Sequence, residues 1–267
     1  MFVTVDDTIY IAAFNLNQTQ MWSYGSTAPT RIFYTSVSAP YDTFVATNGD
    51  VYVESGMSGL HVDRWVSNGT IVTTAMLTQD RCYGLFVDIH DDVYCAEGAH
   101  NQVFRHSSTD PLNVSTAIAG DRTAGSAPNM LNGPRGIFVG LDLKLYVADC
   151  FNNRVQCFSN GHQNGATVAG SGASATITLQ WPNDVILDAD GYLFIVEFYI
   201  HRVVGSGPHG FRCIAGCTGT AGSSSNQLSN PTSLSFDTMG NLFVADYGNS
   251  RVQKFQLVSQ SCGSCNR

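Results

Sequence analysis

The chain has 267 residues, 43% apolar and 13% charged, enough to build a substantial core. Its net charge of −8, with 13 Lys and Arg against 21 Asp and Glu and no basic run, argues against a nucleic-acid partner, whose phosphates are bound mainly through displaced counterions. No apolar run approaches the ~18 residues of a membrane helix, so no membrane insertion is expected.

Taken in chain order, the first strand pattern is Phe2–Val5. A short apolar run opening on an aromatic residue then recurs at Tyr10, Tyr52, Tyr94, Tyr146, Phe194 and Phe243, at spacings of 42, 42, 52, 48 and 49. The six runs align without a gap from three to eight residues after the aromatic. A further strand is legible in the third to fifth units at 115–120 (STAIAG), 166–170 (ATVAG) and 211–216 (FRCIAG). The sixth unit reads as strand a at Ser233–Phe236, a glycine-bearing turn at Asp237–Gly240, strand b at Leu242–Asp246, and strand c after Arg251. Short alternating runs punctuated by turn residues are the hairpin signature, and no helical period competes with it.

Units of roughly 40–50 residues repeated in this way predict an all-β fold, a six-bladed β-propeller of four-stranded antiparallel blades. The propeller is expected over 1–257, followed by a Cys-containing polar tail at 258–267. Nothing resembling a strand follows Val252–Leu257, and nothing lies upstream of Phe2 to replace it. The last blade is therefore expected to be incomplete, with an open edge.

The segments Gly133-Pro134-Arg135-Gly136-Ile137, Leu145–Asp149 and Asn152–Phe158, with counterparts in the fifth and sixth units, resemble NHL repeats. The likeness is looser in the first two units, and it specifies a fold better than a function. The peptide-amidating lyase that such propellers resemble holds zinc by histidines just after the Pro that opens strand a, with Tyr and Arg near the same mouth. The aligned positions here are Tyr41, Tyr83, Arg135, Asn183 and Thr232, none of them His. The seven histidines fall at scattered repeat positions, whereas catalytic zinc typically needs three protein ligands. Other propeller hydrolases hold calcium in the central channel with inward carboxylates and Asn, a role that only Asn183 and Asp184 fit. No Gly-x-Ser-x-Gly elbow, phosphate-binding loop or HExxH appears. No catalytic residue, metal or cofactor is assigned.

Three residues after each aromatic stand Ala13, Ser55, Glu97, Asp149, Glu197 and Asp246. Five residues further stand Gln18, Leu60, Gln102, Arg154, Arg202 and Arg251. Arg occurs only where the first position is acidic, so the two partner each other. A catalytic pair is needed once, whereas this one recurs in three blades. It reads as a surface-proximal clasp of the b–c hairpin, and losing Asp149 should cost about 1–3 kcal/mol.

In a propeller the b–c loops and d–a linkers share one face. That face collects His100, Phe151, Phe198, Tyr199, His201 and Tyr247 from the loops, with Arg135 and Asn183 at strand entrances. Exposed aromatics around a concave mouth suit a binding surface, so these eight residues are the candidate ligand-binding set.

Eight cysteines and the sequons at Asn17, Asn68 and Asn113 together favour an oxidising, extracellular setting. Cys213 and Cys217 are close enough for a local disulfide, and Cys82 and Cys95 on adjacent strands form a plausible second. Cys150 and Cys157 are expected free. Cys262 and Cys265 have redox-motif spacing but no βαβ context, which favours a structural role. The sequence thus reads as a secreted or extracellular part of a larger protein, binding a protein or small-molecule ligand through its b–c face. The alternative is a metal-dependent lyase or lactonase-type hydrolase at the channel mouth.

Overall fold

The structure, a computed structural model, describes residues 1–34, 39–56, 59–67, 72–174 and 176–256. Its strands fall into sheets of four, four, four, four, four and three, each antiparallel and in sequence order. Strands a to d are Phe2–Val3, Ile9–Ala13, Gln18–Trp22 and Arg31–Tyr34 in blade 1, and Thr43–Val45, Val51–Glu54, His61–Trp65 and Val72–Leu77 in blade 2. Blade 3 has Cys82–Val87, Val93–Glu97, Gln102–His106 and Thr116–Ala119; blade 4 has Pro134–Val139, Leu145–Asp149, Arg154–Phe158 and Ala166–Gly170. Blade 5 has Pro182–Leu187, Leu193–Glu197, Arg202–Gly205 and Arg212–Ala215, and blade 6 has Pro231–Phe236, Leu242–Asp246 and Arg251–Phe255. The expected six-bladed propeller is what forms, and the last blade shows three strands among the described residues. The tail after 256, and with it Cys262 and Cys265, lies outside the described residues, as does Asn68.

The core follows from strand alternation. The residue after each repeating aromatic points into an inter-blade space, and Val53, Cys95, Val147, Ile195 and Val244 are all fully buried. Each such side chain contributes about 1.5–3 kcal/mol when buried, so the repeat is an energetic unit as well as a sequence one. The hydrophobic clusters each bridge two neighbouring blades. Blade 1 meets blade 6 through Met1 and Val3 against Phe243, and the Val3 N–H donates to Ser235 Oγ at 3.1 Å.

The a–b turns are closed by aspartates. Asp237 Oδ1 accepts the N–H groups of Met239 (3.0 Å) and Asn241 (2.8 Å), with Gly240 at φ +79°, a conformation glycine adopts without steric cost. Disulfides join Cys82 to Cys95 and Cys213 to Cys217, with Cα atoms 5.2 and 5.7 Å apart, while Cys150 and Cys157 are free thiols.

The b–c hairpin is fastened as the repeating acid and Arg predict, but more deeply. Asp149 Oδ2 accepts from Arg154 Nε at 2.7 Å and Asn152 Nδ2 at 2.8 Å, while Oδ1 accepts the Asn132 N–H at 2.7 Å. Arg154 also donates to the carbonyls of Ser126, Ala127 and Met130, tying the hairpin to the linker that precedes its blade. Asp246 with Asn249 and Arg251 repeats the arrangement, and Glu197 with Arg202 repeats its ion pair. In blade 4 both charged groups are buried, with side-chain exposures of 0% and 7%, so the expectation of a surface-proximal pair is corrected. Burial pushes the Asp149 carboxyl above its ordinary range, against the pull of Asn152 and Arg154.

Blade 2 departs from the gap-free alignment. Its loop is one residue longer, placing the left-handed residue at Leu60 (φ +48°) where blades 3 to 6 have Asn101, Asn153, His201 and Ser250 (φ +52° to +55°). Ser55 holds the acid's position and bonds His61 instead, its Oγ donating to the His61 carbonyl at 2.6 Å and accepting its N–H at 3.2 Å, while Glu54, one residue earlier, is a separate buried carboxylate whose Oε2 accepts the Tyr41 N–H at 2.8 Å.

Candidate functional site

In four of the six b–c loops the left-handed residue links blade to blade through its side chain. Asn17, Asn101 and Asn153 offer Oδ1 to the N–H groups of Ala39 (2.9 Å), Gly133 (3.0 Å) and Trp181 (3.0 Å), and His201 offers Nδ1 to that of Asn230 (3.0 Å). Asn is at home here because its short polar side chain tolerates αL and reaches backbone. Two of the eight candidate binding residues are thereby tied to structure: His201 is such a link, and His100 Nδ1 lies 2.8 Å from Glu97 Oε2 within its own loop. Asn183 is buried, and its Nδ2 donates to the Thr232 carbonyl at 2.6 Å.

The remaining candidates divide between a rim and the channel mouth. Phe151, Tyr199 and Tyr247 are exposed and Phe198 is half-buried. Phe151 and Tyr199 do not meet directly; Trp181 lies between them, with ring centroids 5.4 Å from Phe151 and 5.8 Å from Tyr199. This exposed Trp was not among the residues expected from sequence. It stands before Pro182 at φ +53°, where blade 4 has Gly133 before Pro134 at φ +59°. Ala39 and Asn230 stand likewise before Pro40 and Pro231 at φ +65° and +47°, so the backbone conformation belongs to the repeat and what is particular to blade 5 is the indole it displays.

At the mouth, Arg135 Nη1 donates to the Tyr41 hydroxyl at 2.7 Å, and its guanidinium lies 5.2 Å from the Tyr83 ring centroid. Tyr41 and Tyr83 pack edge to face at 4.8 Å. Arg81, just ahead of strand a of blade 3, adds a second guanidinium 5.4 Å from Phe14, 5.7 Å from Tyr41 and 6.0 Å from Tyr83. Burial raises the Tyr41 hydroxyl, and burial also pushes the Glu54 carboxyl beneath it up to about 7.

Below the mouth, Asp42 and Asp184 line the channel. Asp42 Oδ2 accepts the Leu85 N–H at 3.0 Å, and Asp184 Oδ2 accepts from Ser233 Oγ (2.9 Å) and the Leu234 N–H (3.1 Å), each reaching the next blade. Surrounded by protein and facing the charge of Asp42, Asp184 is pushed up to about 7. Gly136 permits this close approach, since a Cβ there would meet the Asp184 backbone Cα at 2.6 Å.

The positions at which the family likeness would place zinc ligands are thus filled by a Tyr–Arg hydrogen bond, a second Tyr, an Asn engaged with backbone, and Thr232. Among the described residues no group of three or more His, Cys, Asp or Glu could hold one ion. Two guanidiniums at the same mouth also oppose a dication. These residues do not fit a three-ligand zinc. Of the pair considered for calcium, Asp184 already accepts from Val185, Ser233 and Leu234, and Asn183 is oriented by the donation of its Nδ2 to the Thr232 carbonyl.

Comparison with known proteins agrees with this architecture. The NHL repeat family model matches residues 228–255. The chain is 28% identical over 199 residues to the chloroplastic protein Suppressor of Quenching 1 of Arabidopsis thaliana, a match covering 64% of this chain and 19% of that protein. The chain therefore matches about a fifth of that relative's length. Among solved structures, a streptogramin B lyase superposes with a TM-score of 0.65 at 14% identity, over 95% of this chain and 91% of its own. A virginiamycin B lyase from Staphylococcus aureus gives 0.64 at 13% identity, over 97% and 83%. An auxiliary nutrient binding protein from Bacteroides thetaiotaomicron gives 0.70 at 14% identity, over 95% and 68%. At these identities the likeness establishes the fold.

Proposed function

We propose that this six-bladed propeller, which carries an NHL repeat, is an extracellular binding module of a larger protein, holding a protein or small-molecule ligand on its b–c face. The observation that carries the reading is the exposed run Phe151–Trp181–Tyr199, drawn from two loops and the linker between them. Rigid aromatics present much contact area for little lost side-chain freedom, and such residues dominate binding energy at interfaces. The two disulfides point to a non-cytosolic location. Among the described residues no helix is long and apolar enough to cross a membrane. A glycan at Asn113, exposed on a c–d turn, would leave the b–c face open.

The test is a random peptide library selected on the intact protein. Selected peptides should lose binding to Trp181→Ala and Tyr199→Ala and keep it on Asn113→Ala; equal binding to all three variants would sink the proposal. The second reading, a lyase or lactonase-type hydrolase, draws on the lyases that share the fold. It would need a metal held by residues other than those at the mouth, and metal analysis of the purified protein decides it.

A further inference from the structure

The two mouth arginines stand apart from the other arginines fixed in the fold. Arg154, Arg202 and Arg251 each bond a carboxylate and backbone carbonyls, and Arg64 grips Asp50 with Nε and Nη2 together. That Nε–Nη2 edge is the two-donor fork that matches a carboxylate. In Arg81 the same two atoms are shielded from solvent and meet no acceptor. Arg135 donates to the neutral Tyr41 hydroxyl, and neither arginine forms an ion pair among the described residues. Glu54 lies close enough for its charge to interact with that of Arg81, but its Oε2 is taken by the Tyr41 N–H and it forms no ion pair with either arginine, so in a protein of net charge −8 the Arg81 fork stays unmatched.

We infer that Arg81 and Arg135, with Phe14, Tyr41 and Tyr83 as walls, form a binding site for a carboxylate group. This deepens the binding-module reading by giving the ligand, or one end of it, a chemistry. Both guanidiniums lie within 6.0 Å of the Tyr83 ring centroid, so they border one aromatic wall. Arg81 is half-buried, so part of its side chain reaches solvent beside these rings. Beside the wall lies a hollow of about 60 Å³ lined by Tyr41, Tyr83, Asn183, Asp184 and Thr232, which admits only a small group attached to the carboxylate. Asp42 and Asp184 border that hollow, so an anion of single charge is preferred over a phosphate dianion. The aromatic walls favour a flat substituent, which stacks on ring faces and on guanidinium planes.

The experiment titrates the intact protein with benzoate, its uncharged analogue benzamide, and inorganic phosphate, using calorimetry. Benzoate should bind, and the other two should bind at least about tenfold more weakly. Arg81→Met and Arg135→Met, which keep much of the side-chain volume, should each weaken benzoate by about tenfold or more. Arg135→Lys, keeping the charge but losing the fork, should fall between. A short peptide ending in Phe, free or amidated at its C terminus, separates the sources. Stronger binding of the free peptide than of benzoate indicates a chain terminus, and binding of benzoate alone indicates a small acid. Equal binding of benzoate and benzamide overturns the proposal, as does failure of both benzoate and the free peptide to bind at about 10 mM. The wild-type comparison holds even if a variant misfolds. Because benzoate is scored at the arginines and library peptides at Trp181 and Tyr199, failure of this site and failure of the aromatic face are separate results.

Discussion

Replacing Asp149 by Ala removes the acceptor for three donors at once: the Asn132 N–H, Asn152 Nδ2 and Arg154 Nε. Arg154 stays buried, with 7% of its side chain exposed, and keeps its charge. Breaking a buried pair from one side costs about 3–5 kcal/mol, because the surviving ion is left uncompensated. Two features place the expected loss at the lower end. Burial raises the carboxyl of Asp149, so its removal relieves some desolvation, and Arg154 retains the carbonyls of Ser126, Ala127 and Met130. The structure therefore moves the expectation to about 3 kcal/mol, the top of the range for a surface-proximal hairpin clasp. Asp246→Ala is the internal comparison. Arg251 has 30% of its side chain exposed, water can take over part of its solvation, and the cost should be about 1–2 kcal/mol. Urea denaturation followed by fluorescence reads both, as midpoint shifts at unchanged slope. Removing the partner as well, in Asp149→Ala/Arg154→Met, should recover part of the loss. A cost under about 1 kcal/mol for Asp149→Ala, or a larger one for Asp246→Ala, would refute the account of the clasp.

Four further outcomes are expected. Tyr199→Ala with Tyr247→Ala should abolish binding of library-selected peptides while leaving the melting temperature nearly unchanged, since both rings are exposed. Glu54 carries a carboxyl pushed up to about 7 by burial, so the folded state holds a proton that the unfolded chain releases above its ordinary 4.5. Glu54 should add stability as pH falls from about 7 toward 4.5, by up to about 3 kcal/mol, and lose it in the reverse direction; thermal melts at pH 8 and 5.5 check the sign, and Glu54→Gln should reduce the difference without abolishing it, since Asp184, also pushed up to about 7, acts in the same direction. Amides facing outward from Arg251–Phe255, the third strand of blade 6, should exchange rapidly, and full protection of them in a monomer would contradict an open edge there. Non-reducing peptide mapping should recover Cys213 joined to Cys217, with only modest stabilisation because the loop is short.

The architecture was legible because each b strand repeats one buried position, from Val53 to Val244, and each loop turns at one left-handed residue. The d strands of blades 1 and 2, Arg31–Tyr34 and Val72–Leu77, were not recognised, because neither ends in the Ala-Gly pair of Ala119-Gly120, Ala169-Gly170 and Ala215-Gly216. Those glycines sit where a Cβ would strike the carbonyl oxygens of Asn101, Asn153 and His201, so the motif marks a close approach that the first two blades do without. Glu54 escaped because it stands one residue before the repeating acid position, where blades 3 and 4 have Ala96 and Ala148. Trp181 and Arg81 belong to d–a linkers, where no periodic pattern places a side chain. Trp181 did carry a signal, standing before a strand-opening Pro where blade 4 has Gly133. For Arg81 there was less to see, since blade 3 opens with Cys82 in place of Pro. His100 and His201 looked like free loop histidines because their partners, Glu97 and the Asn230 N–H, are assigned only by the hairpin and the neighbouring blade.

The central claim is that ligands are held on the b–c face, and hydrogen exchange with and without a saturating library-selected peptide tests it most directly. The account predicts slowed exchange confined to the loops at 150–153, 198–201 and 247–250 and to the linker at 180–181. Slowing at the opposite turns, 88–91 and 107–114, with those loops unchanged, would contradict it.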